Sequence, residues 1–224
     1  MLKAKITEIF SSIQGEGPYV GEEQVFVRFS GCNLSCKFCD ERKKRDSFLE
    51  YTPNEVIEKI INEGRKTVSF TGGEPLLQAD FLKDILLVLK EKDLSIYLET
   101  NGILKDELLK VLDYVDVISM DIKLPSSTGC VPYWQEHTVF LKEAIKKEVF
   151  VKSIVTPETI PRDVEMAVSI VKSLDENIPF IIQPVSYNGN IEKVGLLGDF
   201  FDSARGRLNN VRVIPQVHKI LGVK

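Results

Sequence analysis

No stretch of this chain is apolar for long enough to cross a bilayer, and its 224 residues contain neither an internal repeat nor a Gly/Ser-rich linker. The first absence excludes a helical membrane protein. The second offers no place to divide the chain, so one domain over residues 1–224 is expected. An excess of one charge is also lacking. Lys and Arg number 29 against 33 Asp and Glu, a net charge of -4, which supplies no overall basic field for nucleic acid or an anionic membrane. Met1–Phe10 interleaves lysines with apolar residues and lacks the continuous apolar run of a secretory signal, so a cytoplasmic location is expected. Cysteine is scarce, at four, and a reducing compartment argues against pairing them as two disulfides. Histidine is scarcer still, at two.

What is present is an alternation. Gln24–Phe29, Thr67–Phe70, Ser95–Glu99, Val115–Asp121, Val149–Ile154, Phe180–Gln183 and Val211–Ile214 are short runs rich in Val, Ile and Phe, the pattern of strands. Helix-period segments lie between most of them. Thr52-Pro53-Asn54-Glu55 combines an N-cap, a proline at the first helical position and a capping-box glutamate, opening a helix towards Asn62. Asp80 is placed to cap the next helix, with Phe81, Ile85, Leu86 and Leu89 as its apolar stripe. Leu108–Leu112, Gln135–Lys147 and Arg162–Leu174 continue the series. Strand–helix repeats of this kind imply parallel strands with helical crossovers. A complete eight-fold barrel needs about 250 residues, so the expected fold is α/β, an incomplete (β/α)6-type partial TIM barrel. Functional residues should then sit where strands end.

Three of the four cysteines fall within eight residues, in Gly31-Cys32-Asn33-Leu34-Ser35-Cys36-Lys37-Phe38-Cys39-Asp40, directly after the strand ending at Phe29. Thiolates are the soft ligands of iron–sulfur clusters, and three ligands for a [4Fe-4S] cluster leave one iron open to bind something else. A structural zinc site needs four ligands, and its fourth would have to be Cys130, His137 or His218, all remote in sequence. Buried thiols acting as small apolar side chains are a further alternative. The C-x3-C-x2-C loop, with an aromatic before its last cysteine, resembles the radical S-adenosylmethionine (SAM) superfamily. Thr71-Gly72-Gly73-Glu74-Pro75 is similar to that superfamily's second signature, where two glycines let the backbone approach the methionyl end of SAM.

Further segments narrow the resemblance: Glu8-Ile9-Phe10, Ser12-Ile13-Gln14-Gly15-Glu16-Gly17, Arg28, Glu99-Thr100-Asn101-Gly102, Asp121-Ile122-Lys123-Leu124-Pro125-Ser126-Ser127, Gln183-Pro184-Val185 and Gln216-Val217-His218-Lys219. From Glu8 to the C-terminus this ordered set resembles the 7-carboxy-7-deazaguanine synthase family of the deazapurine pathway to queuosine and archaeosine in tRNA. The resemblance implies a radical SAM carbon–nitrogen lyase. It would contract 6-carboxy-5,6,7,8-tetrahydropterin to 7-carboxy-7-deazaguanine and ammonia, through a 5'-deoxyadenosyl radical that takes hydrogen from C6 and later returns it. By matching position, Cys32, Cys36 and Cys39 would hold the [4Fe-4S] cluster. Phe38, Asp40, Gly73, Glu74, Ser126, Ser127 and Gln183 would contact SAM. Ile13, Gln14, Gly15, Glu16, Arg28, Thr71, His218 and Lys224 would line the pterin site. Arg28 offers a rigid fork for a carboxylate, and Glu16 can accept from the guanidine-like edge of a pterin. No residue is assigned a separate catalytic role. The family also implies a homodimer and a magnesium ion beside the substrate, and an electron donor such as flavodoxin or ferredoxin is expected as a partner.

The chain departs from the family pattern at Glu41, where a threonine that supports the magnesium is usual. A carboxylate is also a hard oxygen ligand for that ion. Glu41-Arg42-Lys43-Lys44-Arg45-Asp46 is the densest charge run; it reads as a solvated loop or as a docking patch for an acidic electron donor. Cys130 reads as a loop thiol without chemistry, and Tyr133 and Trp134 as packing residues. Two other readings stand beside the synthase. One is a glycyl-radical activating enzyme with the same cysteine spacing, and the other a non-catalytic iron–sulfur or zinc protein.

Overall fold

Each Val-, Ile- and Phe-rich run forms a strand, and the helix-period segments form the crossovers between them. The structure is a computed structural model that describes residues 2–40, 47–187 and 190–224. Its elements are β1 (Ala4–Ile13), β2 (Glu23–Phe29), β3 (Leu49–Tyr51), α1 (Pro53–Glu63), β4 (Thr67–Gly72), α2 (Ala79–Glu91), β5 (Ser95–Thr100), α3 (Lys105–Val111), β6 (Val117–Asp121), α4 (Pro125–Thr128), α5 (Trp134–Ala144), β7 (Glu148–Val155), α6 (Pro161–Leu174), β8 (Phe180–Pro184), β9 (Ser186–Tyr187), β10 (Asn190–Ile191), α7 (Leu197–Arg205), β11 (Val211–Val213) and α8 (Val217–Leu221).

The main sheet has nine strands in the order β11-β8-β7-β6-β5-β4-β2-β1-β3. From β2 to β11 every neighbouring pair is parallel, whereas β1 runs antiparallel to both β2 and β3. This is the partial barrel that the alternation implies. Strands β1 and β3 are the additions. The residues of β1 are mostly half-buried, so it lacks the buried apolar residues that mark the inner strands. Helix α1 starts as the capping box predicts, with the Glu55 carboxylate accepting from Thr52 N at 2.7 Å. Helix α2 does not start on an Asp80 cap. Pro75 opens a 3-10 turn over Pro75–Gln78, capped by Glu74, and α2 follows it with Gln78 at its N-cap, leaving Asp80 inside the first turn.

Strand residues alternate between the two faces of the sheet. Val68, Phe70, Ile96, Leu98, Ile118, Met120, Val151, Val155 and Ile182 face the helices and join the main core. The opposite, concave face carries a much smaller apolar cluster of Tyr97, Val117, Phe150 and Ile181, against which Tyr19 and Ile214 pack. Above that cluster the same face presents Thr71, Glu99, Asp121 and Lys152 to a cavity. The sheet is strongly curved. Five strand spacings separate β1 from β7, about 24 Å if flat. Yet Glu16, three residues past the end of β1, forms an ion pair with Lys152 of β7, and three residues of chain span only about 10 Å.

Candidate functional site

One cavity opens on this concave face, enclosing about 1280 Å³ with its open mouth. Its rim begins with the cysteine loop that follows β2. Cys36 is buried, whereas Cys32 and Cys39 are partly exposed. The loop is pinned from two sides. Gly73 N donates to Phe29 O at 2.9 Å and Glu74 N to Gly31 O at 2.8 Å, while Lys37 N donates to Thr128 O at 2.8 Å. Gly73 fits there because it has no side chain: a Cβ would lie 1.8 Å from Gly31 O. Gly72 beside it has a φ of +114°, which side-chain-bearing residues rarely adopt. The Cys32 sulfur accepts from Leu34 N at 3.4 Å and faces Asn101 Nδ2 at 3.9 Å.

Among the described residues, no three His, Cys, Asp or Glu side chains converge on a point that a single ion could occupy. The three thiols are therefore not arranged as a mononuclear zinc cage. Three soft thiolates on one loop of the cavity wall have the chemistry that an iron–sulfur cluster requires. Burial pushes the Cys36 thiol up to about 12, with Lys123 opposing and the neighbouring Cys130 thiol reinforcing the rise.

Below the rim lies a buried charge array. Lys152, only 6% exposed, is paired with Glu16 and lies 3.9 Å from Glu99 Oε2. Glu99 also accepts from Thr71 Oγ1 at 3.0 Å and Gln14 Nε2 at 3.2 Å. Glu16 accepts from Gln216 Nε2 at 2.7 Å. Burial alone would raise the Glu16 pKa, but the Lys152 ammonium and these hydrogen bonds outweigh it and hold the carboxyl well below the usual range. Burial likewise opposes charge on Lys152, and Glu16, Glu99 and Asp121 together keep its pKa high. Both partners stay ionised at neutral pH. Alongside, Lys123 pairs with Asp121 at 2.7 Å.

Behind the rim, Glu74 is wholly buried, its carboxylate accepting from Leu76 N (3.1 Å), Thr100 Oγ1 (2.9 Å) and Asn101 N (2.8 Å). Burial raises its pKa to about 7. His137, on α5, places Nε2 3.1 Å from Asn101 O, and burial lowers its pKa to about 4. Several buried polar atoms have no protein partner among the described residues: both amide atoms of Gln183, Asn101 Oδ1 and Asp121 Oδ1. Those of Asn101 and Asp121, which line the cavity, suit a ligand that supplies donors.

The segment after β11 crosses the cavity mouth. Val217 N donates to Gly15 O at 2.9 Å, and the His218 ring occupies the space a Cβ on Gly15 would need. Lys219 pairs with Asp40 at 2.7 Å. Ser12 Oγ donates to Lys224 O at 2.7 Å, and Lys224 Nζ lies 3.7 Å from Glu8. Arg28 lies 3.5 Å from Glu8 and over the Phe10 ring.

Of the residues singled out in the sequence, Ile13, Gln14, Gly15, Glu16, Arg28, Thr71, His218 and Lys224 all line this cavity, as do the three cysteines, Phe38, Asp40 and Gly73. Glu74, Ser126, Ser127 and Gln183 are not on its wall. Ser127 is hydrogen-bonded to Thr159 at 2.7 Å, and Ser126 N donates to Asp163. Glu41 and the basic residues Arg42, Lys43, Lys44 and Arg45 lie outside the described residues. Sequence reasoning gave no role to Lys152, and named Glu99, Asn101, Asp121, Lys123 and Gln216 only as parts of motifs. A lysine in the mainly apolar stretch Val149–Val155, where Ser153 is the other polar residue, was the available signal for the first.

The Radical SAM superfamily pattern matches residues 26–147. The 7-carboxy-7-deazaguanine synthase of Geobacter sulfurreducens is 38% identical over 98% of this chain and 97% of its own length. That of Methanopyrus kandleri is 35% identical over 96% of this chain and 92% of its own. Among solved structures, the QueE protein of Escherichia coli superimposes with a TM-score of 0.68 at 21% identity, covering 96% of this chain and 95% of that one. This last likeness speaks to the fold alone.

Proposed function

The chain belongs to the 7-carboxy-7-deazaguanine synthase family of the radical SAM superfamily, and from that membership we infer how its cavity is used. The protein is a radical SAM lyase of deazapurine biosynthesis, contracting 6-carboxy-5,6,7,8-tetrahydropterin to 7-carboxy-7-deazaguanine with release of ammonia. The observation that carries this is the end-to-end similarity to named synthases, at 38% identity for one of them. It does not favour the glycyl-radical alternative.

An iron–sulfur cluster and SAM, implied by the superfamily, supply the radical chemistry when bound. The residue roles that follow are our reading. Cys32, Cys36 and Cys39 hold the cluster, supported by their shared place on the cavity rim. Gly73 and Glu74 serve SAM through their backbone, because the Glu74 carboxylate is already occupied by three donors. Phe38, Asp40, Ser126, Ser127 and Gln183 complete that site, a reading supported by the place of Phe38 and Asp40 on the cavity wall. Ile13, Gln14, Gly15, Glu16, Arg28, Thr71, His218 and Lys224 hold the pterin. Arg28 grips its carboxylate. Glu16, kept ionised by Lys152, and Glu99 accept from its guanidine-like edge, and the segment after β11 excludes water.

Magnesium beside the substrate, with Glu41 as a ligand, belongs to the same proposal, as do a homodimer, a cytoplasmic location and reduction by flavodoxin or ferredoxin docking near Arg42–Arg45. So does a single radical SAM core domain spanning 1–224, a reading supported by one continuous sheet. The test is anaerobic incubation of reconstituted protein with SAM, reductant and the carboxypterin, with and without magnesium. Product with the mass and absorbance of the deazapurine is expected, formed faster with the ion. SAM cleavage without that product would overturn the substrate assignment, and no response to magnesium the role of Glu41.

A further inference from the structure

The fourth cysteine does not stand alone. Cys130 follows α4, and its thiol neighbours that of Cys36 closely enough to add to the rise in the latter's pKa. The contact is built into the backbone: Lys37 N donates to Thr128 O at 2.8 Å, Cys130 N is held by Thr128 Oγ1 at 3.1 Å, and Gly129 packs so closely that a Cβ would fall 2.5 Å from Lys37 Cε. Cys130 is not part of the cavity wall. It is partly exposed whereas Cys36 is buried, so an oxidant reaches Cys130 first.

We propose that Cys36 and Cys130 form a reversible disulfide when the cysteine loop is without its cluster, a redox modification that removes one cluster ligand and shields it from irreversible oxidation. With hydrogen peroxide as oxidant, the Cys130 thiol is converted to a sulfenic acid and one water is released. The Cys36 sulfur then displaces hydroxide, which leaves as a second water with the Cys36 proton. Two electrons pass from the two sulfurs to the peroxide. Cys36 is a buried and therefore slow nucleophile, but its contact with Cys130 makes the second step intramolecular. Reduction by a dithiol reverses the modification. Such transient pairing is the form disulfides take in reducing compartments.

The experiment uses full-length protein stripped of iron by a chelator without oxygen, then treated with hydrogen peroxide, alkylated and digested without reductant. Expected are the loss of two of the four thiols and a peptide pair joining Cys36 to Cys130. After dithiothreitol, the wild type should recover its iron–sulfur absorbance on reconstitution. Cys130→Ser, with unchanged turnover before oxidation, should instead accumulate sulfinic acid at Cys36 and recover less. Cys36 joined to Cys32 or Cys39, or equal recovery in both proteins, would overturn the proposal. Iron content before stripping is measured separately, so failure of the cluster assignment is distinguishable from failure of this pairing.

Discussion

Lys152 holds two carboxylates away from water, and its removal should cost more than any single contact suggests. Lys152→Met leaves Glu16 and Glu99 on the same cavity without their cation. Breaking one side of a buried ion pair destabilises by about 3–5 kcal/mol, measurable by urea denaturation. Adding Glu16→Gln should restore part of that loss, since one uncompensated charge is then gone. His137 makes a prediction in pH. Its folded pKa, about 4, lies below its ordinary 6.5, so it stabilises the fold fully above pH 6.5. That contribution is lost as pH falls from 6.5 to about 4, up to roughly 3 kcal/mol at 1.36 kcal/mol per pKa unit. His137→Asn should flatten this part of the melting-temperature profile. Neither residue was assigned a role from the sequence alone. One lysine in an apolar strand becomes meaningful only when register shows that Lys152 and Asp121 are paired neighbours on the cavity side.

At the scale of elements, the β4–α2 connection carries the cysteine loop on its back. Gly73→Ala would drive a Cβ to 1.8 Å from Gly31 O, with backbone on both sides and no flexible side chain to yield. The variant should fold, judged by far-UV circular dichroism, yet retain only a small fraction of the wild-type iron after desalting. Retention of full iron would show that the loop has another way to seat itself. The inner strands were legible because their helix-facing positions are filled by Val, Ile, Leu, Met or Phe, short runs bounded by turn residues. Strand β1 was not, because a half-buried antiparallel strand near the sheet edge mixes lysine, threonine and serine with its apolar residues. The start of α2 was misplaced for a local reason: Pro75 begins helical winding one turn before Asp80 could cap it.

Across the whole molecule, the cavity is a joint product of distant segments. The cysteine and Gly-Gly motifs are short and local, which is why they could be read directly. Their meeting with residues 214–224 depends on the curl of an entire sheet, which no window of sequence encodes. Deleting residues 217–224 should therefore leave iron content unchanged and raise KM for the pterin by about tenfold or more, since several rim hydrogen bonds vanish. An unchanged KM would make that segment a bystander.

The hydrogen bond from Ser12 to the Lys224 carbonyl has a practical side. Any affinity tag or fusion partner attached after Lys224 would begin at the rim of the reaction chamber, beside Glu8 and Phe10.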